Sequence, residues 1–299
     1  MTHTLHPILT DWPDCSEKRI KLQVSNSGMA SLHRGHPWLY AEKIKAESHH
    51  GKPGDLAVVF DAKRRFVAIG LYDPFSHIRM RALHTSRPGP IDRGLFAERI
   101  AKALKRRLPL LKTDTDGYRM IHGESDGMPG MVIDRYADTA VVKIYTLAWL
   151  PHLRDCLESL LEQQPLKRIV LRMSRGMQQH PEQLRGLEDG QIIYGEPITA
   201  TLTCREHGLI FEVDPVRGQK TGFFLDQRDN RARVERIASG KRVLNVFSYN
   251  GGFSLAAARG GAIEVTSLDQ SGPAIASSIR NFSLNKHVPA IAAARHLTI

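Results

Sequence analysis

The sequence is poor in cysteine, long apolar runs and glycine fingerprints, and each shortage removes a class of protein. Three cysteines occur in 299 residues, Cys15, Cys156 and Cys204, odd in number and widely spaced. That spacing argues against a disulfide framework and against a zinc site built on Cys-x-x-Cys pairs. Three reduced structural thiols are expected, and no metal ligands are assigned. No stretch approaches the ~18 consecutive apolar residues of a bilayer span. The opening Met1-Thr2-His3-Thr4 has no charged and then apolar signal region. A chain without a membrane partner, placed in the cytoplasm, is expected. Hydrophobic residues make up 41%, and 24 glycines bring the apolar share into the ordinary globular range, so disorder and low complexity are excluded.

Acidic residues are also in deficit, 31 against 42 Lys and Arg, for a formal charge of +11. The imbalance is local. Residues 1–110 hold 19 basic against 10 acidic residues, and the rest of the chain holds 23 against 21. A polyanion such as nucleic acid is therefore a candidate partner for the front third, with surface solubility as the alternative reading of the same charge.

Three textures follow one another along the chain. Residues 19–90 read as short strands (19–24, 56–60, 67–72, 78–82) broken by Pro53-Gly54 and Asp73-Pro74, a pattern that predicts a small β-barrel. Residues 91–213 begin with an amphipathic helix over 91–108. Strands at 131–133, 140–145, 168–172, 199–204 and 209–213 around one helix at 150–162 then predict an α+β middle domain. Residues 214–299 alternate: a helix that Asp226 can cap, a strand at 243–247, a helix at 253–259, a strand at 265–268 and a helix at 273–285. That is the βαβα signature of an open parallel sheet.

The chemistry concentrates in Val243-Leu244-Asn245-Val246-Phe247-Ser248-Tyr249-Asn250-Gly251-Gly252 and in Asp269 at the end of the next strand. A buried strand running through a small-residue turn into a helix presents backbone N–H groups above the strand's carboxyl end, where nucleotide-like cofactors bind. A carboxylate 18 residues beyond Gly251 can accept hydrogen bonds from both ribose hydroxyls. The turn is not Gly-x-Gly-x-x-Gly, and S-adenosylmethionine, which has no pyrophosphate, suits it better than NAD. An NAD-dependent oxidoreductase is accordingly the weaker alternative.

Upstream lies Gly218-Gln219-Lys220-Thr221-Gly222-Phe223-Phe224-Leu225-Asp226-Gln227-Arg228. With the 245–254 segment it resembles the class I ribosomal RNA large-subunit methyltransferases that make 5-methylcytosine, and their relatives with an amino-terminal PUA domain. The likeness spans residues 19–285. His36-Pro37-Trp38 and Ile78-Arg79-Met80-Arg81 are similar to the PUA part, and the 123–130 segment and Glu206-His207-Gly208 to the family's middle domain. The resemblance implies a multi-domain α/β chain: a PUA-like β-barrel (19–90), an α+β middle domain (91–213) and an incomplete Rossmann-like methyltransferase domain (214–299). It implies S-adenosylmethionine as cofactor, with Phe224, Asp226 and Gln227 at its methionine end, Asn245, Ser248 and Gly251 at its core, and Asp269 at its ribose. Asp226 also reads as a helix N-cap, and Lys220 as a contact either to RNA phosphate or to a surface carboxylate. The 123–130 stretch, rich in turn formers, reads first as a structural turn.

Arg34 and His36 beside Trp38 combine charge with a stacking surface, as RNA-binding faces do, though Trp38 reads equally as core. Arg79 and Arg81 alternate on one strand and, with Lys63, Arg64 and Arg65, predict a basic surface for ribosomal RNA. Cytosine C5 methylation requires a cysteine thiolate to add at C6. No cysteine follows Cys204, and the family's Asp-Pro-Pro loop is absent from the sequence. No catalytic residue is assigned, and the expectation is a chain cut short or frame-shifted near residue 286, unable to complete the reaction. The rival expectation is a noncatalytic RNA-binding protein. Self-association as a homodimer is left open.

Overall fold

The computed structural model describes residues 4–85 and 87–299. The chain divides into two compact units, one running to Leu108 and from Arg119 to Pro197, the other built from Pro109–Tyr118 and Ile198–Ile299.

In the first unit a short helix, α1 (Pro7–Thr10), precedes β1 (Ile20–Val24), α2 (Asn26–His33), β2 (Trp38–Tyr40), β3 (Ile44–Glu47), β4 (Leu56–Phe60), β5 (Phe66–Tyr72) and β6 (Ile78–Thr85). The six strands form one sheet in the order β2-β6-β5-β4-β1-β3, with β1 parallel to β4. Its core gathers Ile20, Leu22, Leu39, Val59, Val67 and Met80 with Leu32 of α2. Ser25 starts α2 by accepting the Gly28 N–H. Helix α3 (Arg93–Leu111) buries Phe96, Ile100 and Ala103; Arg93, Lys102, Lys105 and Arg106 are exposed, while Arg99 and Arg107 are half-buried and bonded inward.

A second sheet takes β7 (Gly117–His122), β8 (Met131–Tyr136), β9 (Thr139–Ile144), β10 (Arg168–Met173) and β11 (Ile192–Gly195) in the order β11-β10-β9-β8-β7. Helix α4 (Leu153–Gln163) links the parallel pair β9 and β10 and buries Leu153, Cys156, Leu157 and Leu160, one stripe at helical spacing. Two single-turn helices, α5 (Arg175–Gln178) and α6 (Pro181–Leu184), precede β11.

The second unit holds the hairpin β12 (Leu202–Glu206) and β13 (Leu209–Val213), then α7 (Arg228–Ile237), β14 (Arg242–Val246), α8 (Gly252–Arg259), β15 (Glu264–Leu268), α9 (Gly272–Leu284), α10 (Pro289–Ala293) and β16 (Arg295–Thr298). Strands β14, β15 and β16 form a parallel sheet in that order. The hairpin, placed in the middle domain on sequence, sits with this unit because α9 grips its backbone. Asn281 Oδ1 accepts the Glu212 N–H at 2.7 Å, and Asn285 both accepts from Ile210 N at 2.9 Å and donates to Ile210 O at 2.7 Å. The buried pair Arg231–Glu206, with contacts of 2.7 and 2.6 Å, joins α7 to the same hairpin. The tail after Asn285 forms α10 and adds β16 beside β15.

Strand β14 has one neighbour among the described residues, and Leu244 and Val246, on one face of it, are exposed, as are Ile237 and Phe247 nearby in sequence. Unpaired strand edges with exposed apolar side chains promote edge-to-edge association. The chain is expected to self-associate with rising concentration in light scattering, and Leu244→Lys/Val246→Thr to reduce this; equal association of the variant would show that contact lies elsewhere.

Candidate cofactor site and nucleic-acid surface

After β14 the chain folds back on itself. The Ser248 N–H donates to Leu268 O at 2.9 Å, and the Gly251 N–H to Ser248 O at 2.9 Å. Phe247, Tyr249 and Gly251 all take positive φ, at 59°, 50° and 75°, which is costly for the two aromatic residues. The Asp269 carboxylate holds this bend, accepting the Tyr249 N–H at 2.8 Å and the Ser271 N–H at 2.9 Å. Each of its oxygens retains further acceptor capacity. Gly251 precedes α8, and a Cβ there would lie 2.1 Å from Ser278 Oγ, so closeness and backbone conformation both require glycine. The Ser248 hydroxyl is buried and has no hydrogen-bond partner.

Asn245 joins a hydroxyl network. Its Nδ2 donates to Ser254 Oγ at 2.9 Å, Ser254 Oγ lies 2.7 Å from Ser267 Oγ, and Ser267 Oγ lies 3.0 Å from His296 Nε2. Ser278 Oγ donates to Ser267 Oγ at 3.3 Å. His296 stacks on Phe282 with ring centroids 3.6 Å apart, and burial lowers its pKa to about 4, so the imidazole is neutral. A donor series from Asn245 through Ser254 and Ser267 to His296 uses each hydroxyl proton once.

The upstream candidates meet the turn through aromatic contact. Phe224 packs edge-on against Tyr249 at 5.1 Å. Lys220 lies 4.5 Å from the Phe224 ring centroid and pairs with Asp226 at 2.7 and 2.9 Å. The structure corrects one reading of Asp226: the N-cap of α7 is Gln227, and neither residue caps by side chain. Asp226 lies in the preceding 3-10 turn with its carboxylate committed to Lys220. Partial burial works against its ionised form, but the Lys220 hydrogen bond and charge prevail, and its pKa falls. Gln227 donates weakly to Asp226 at 3.4 Å and accepts from Asn230 Nδ2 at 2.9 Å.

The predicted RNA residues separate by burial. Arg34 and His36 are exposed. Trp38 is half-buried rather than core, edge-on to His36 and Tyr40 at 5.6 and 6.3 Å, and its indole N–H donates to Glu124 Oε1 at 2.8 Å. Arg79 donates to the carbonyls of Asp73 and Pro74 and so fastens their turn. Arg81 is only 4% exposed, which removes it from the expected basic surface. Burial lowers its pKa, Asp73 and Glu124 oppose that shift, and one guanidinium N–H donates to Ile78 O at 3.1 Å. The 123–130 segment contains a built turn: Asp126 accepts from Arg106, Arg107 and the His122 N–H. Among the described residues no cluster of His, Cys, Asp or Glu could hold a metal ion, and no helix is long and apolar enough to cross a membrane.

A strand, a tight turn closed by the next strand's terminal carboxylate, and a helix define an S-adenosylmethionine-dependent methyltransferase domain, and residues 156–294 match the model of that family. Residues 22–85 match the PUA-like domain. The chain belongs to the ribosomal RNA large subunit methyltransferase family. It is 51% identical over 284 residues to the ribosomal RNA large subunit methyltransferase of Deinococcus radiodurans, covering 93% of this chain and 69% of that one. It is 36% identical over 264 residues to the ribosomal RNA large subunit methyltransferase I of Pseudoalteromonas translucida, covering 85% and 64%. A solved methyltransferase structure complexed with SAH shares the fold at TM-score 0.77 and 22% identity, over 93% of this chain and 69% of that one.

Two outcomes follow from this geometry. Gly251→Ala is expected to destabilise the chain by about 1–3 kcal/mol in urea unfolding; an unchanged midpoint would mean the turn relaxes freely. Because the folded His296 pKa lies below its ordinary 6.5, the unfolded chain binds the extra proton first, and stability is lost as pH falls from about 6.5 to about 4. His296→Gln is expected to flatten the melting temperature across that interval.

Proposed function

We propose that this chain binds S-adenosylmethionine in the crevice above β14 and β15 and serves methylation of large-subunit ribosomal RNA, with cytosine C5 as the target atom. The observation that carries the cofactor half is the Phe247–Gly251 bend. A buried hydroxyl without a partner, Ser248, and a carboxylate at the end of the adjacent strand, Asp269, offer a donor and an acceptor beside a helix start. Such a set fits a nucleoside with free ribose hydroxyls. In this reading Asp269 accepts from the ribose while keeping the bend closed. Phe224 and Tyr249 wall the site, and Asp226, kept ionised by Lys220, offers negative charge to the methionine ammonium. The bound cofactor supplies an electrophilic methyl group on a sulfonium. The names of the relatives, together with Arg34, His36 and Trp38 in the PUA-like part, support RNA as the substrate.

The C5 reaction needs an attacking thiolate, and the three thiols present are poor candidates. Burial pushes Cys15 and Cys156 up to about 12, with help from Asp55 and Asp14 for the first and Asp155 for the second. Cys204 is raised well above its ordinary value, by burial first. We therefore read none of these three thiols as the nucleophile that would form the covalent cytosine adduct.

Calorimetry is expected to show heat with S-adenosylmethionine and none with NAD. Asp269→Ala is expected to weaken that binding about 10- to 100-fold, the value of one or two hydrogen bonds to a charged group. RNA carrying 5-fluorocytosine is expected to bind without covalent trapping. NAD binding alone would overturn the cofactor assignment, and a trapped adduct lost on Cys15→Ser would overturn the reading of the thiols.

A further inference from the structure

The 123–130 turn does more than reverse the chain. Glu124 Oε1 accepts both the Trp38 indole N–H, at 2.8 Å, and the Gly130 N–H, at 3.0 Å, and the Gly130 carbonyl accepts the Tyr145 N–H at 2.9 Å. Two aromatic side chains 107 residues apart in sequence, Trp38 of the PUA-like sheet and Tyr145 just past β9 of the second sheet, are thereby tied to one short turn. Neither is core: Trp38 is half-buried, and Tyr145 keeps 46% of its surface exposed. A tyrosine at the end of a strand, with its backbone tied to the turn and nearly half of its surface open to solvent, offers part of a π-face.

The cations lie on the same side as that ring. Lys143 Nζ is 5.6 Å from the Tyr145 centroid. In the sheet register Lys143 stands opposite Arg172 of β10 and Val132 of β8, so side-chain alternation places Lys143 and Arg172 on one face. Asp134, two residues on from Val132 and hence on that face, receives a forked pair of hydrogen bonds from Arg119 of β7 at 2.8 and 3.0 Å. Three cations from three strands thus face two carboxylates, Asp134 and Asp189, the latter paired with Arg172 at 3.2 Å. Burial lowers the Lys143 pKa, and Arg172 and Arg119 lower it further against the opposing charges of Asp189 and Asp134.

We propose that Tyr145 and Trp38, with Lys143, form a stacking platform for a single-stranded segment of RNA, in which Tyr145 takes a base and Lys143 takes a neighbouring phosphate, while Arg119 and Arg172 stay paired with Asp134 and Asp189. The proposal rests on the RNA reading above and specifies it. A single strand is favoured over a duplex because exposed aromatic faces can stack only on bases that are not already stacked in a helix.

The test uses the full chain and a fluorescent single-stranded oligoribonucleotide, with a duplex of the same length beside it, each titrated at several salt concentrations. Tyr145→Ala is expected to weaken single-strand binding about 5- to 150-fold, the range of one base stack, and to leave the salt slope and duplex binding as they were. Tyr145→Phe, which keeps the ring, is expected to bind like the parent. Lys143→Gln is expected to reduce the salt slope by about 0.7, one phosphate contact on a single strand. Retained S-adenosylmethionine affinity and an unchanged circular dichroism spectrum would show that each variant is folded. Parent-like single-strand binding by Tyr145→Ala overturns the platform while leaving RNA binding intact, as does an equal loss for duplex. If the parent chain itself binds no RNA, the substrate reading falls and the platform with it.

Discussion

Ser267 is the point on which the cofactor-binding unit turns. It is fully buried at the centre of the three-stranded sheet, and its hydroxyl reaches Ser254 of α8, Ser278 of α9 and His296 of β16, while Ser254 passes the contact on to Asn245 of β14. A hydroxyl has one proton and two lone pairs, so three partners use all it has. Five elements are held by one saturated oxygen and its neighbour, in a region where an unpaired polar group would be expensive. The small side chains are what allow it. Serine at 278 leaves room for Gly251 to approach, and that approach sets the start of α8 and the bend where Ser248 and Asp269 lie.

The distribution of charge changes meaning once partners are seen. A formal +11 suggests a broad basic surface, yet many of the cations already have partners within the chain: Arg81 is buried, Arg79 binds carbonyls of its own turn, Arg231 is sealed against Glu206, and Lys220 pairs with Asp226 at the surface. What remains for an anionic partner is selective, and the aromatic residues mark it better than net charge does. Exposed pairs such as Lys220–Asp226 contribute little to stability; their effect is to fix side-chain direction and protonation beside a site.

Much of the fold was legible from periodicity, though burial did not follow everywhere: β14, expected as a buried strand, has no buried residue because one flank of it has no neighbouring strand among the described residues. The β14 to α9 alternation, the turn at Gly251 and the carboxylate at Asp269 all fall where strand and helix periods place them. Short strands were not legible: β2 has three residues and β3 four, too few for alternation to show. Alternation also cannot say which face of β6 is buried, and so Arg81 read as surface. The role of Asp226 was hidden because a helix start next to a carboxylate looks like a cap, whereas Lys220, at φ 56°, turns back to claim it. Tyr145 carried no local signal at all. Its significance lies in hydrogen bonds through Gly130 and Glu124 to a residue in another sheet, and such long-range closure has no pattern along the sequence.

The grip of Asn281 and Asn285 on the 209–213 strand bears on how the protein is made. The partners lie 69 and 75 residues apart, so the hairpin leaves the ribosome long before the helix that secures it. All residues of the first unit have been made by Pro197, while the second includes α9, which is made later. During that interval the hairpin is an exposed two-stranded ribbon, marginal on its own in water. Its safe passage depends on how quickly synthesis delivers two asparagines.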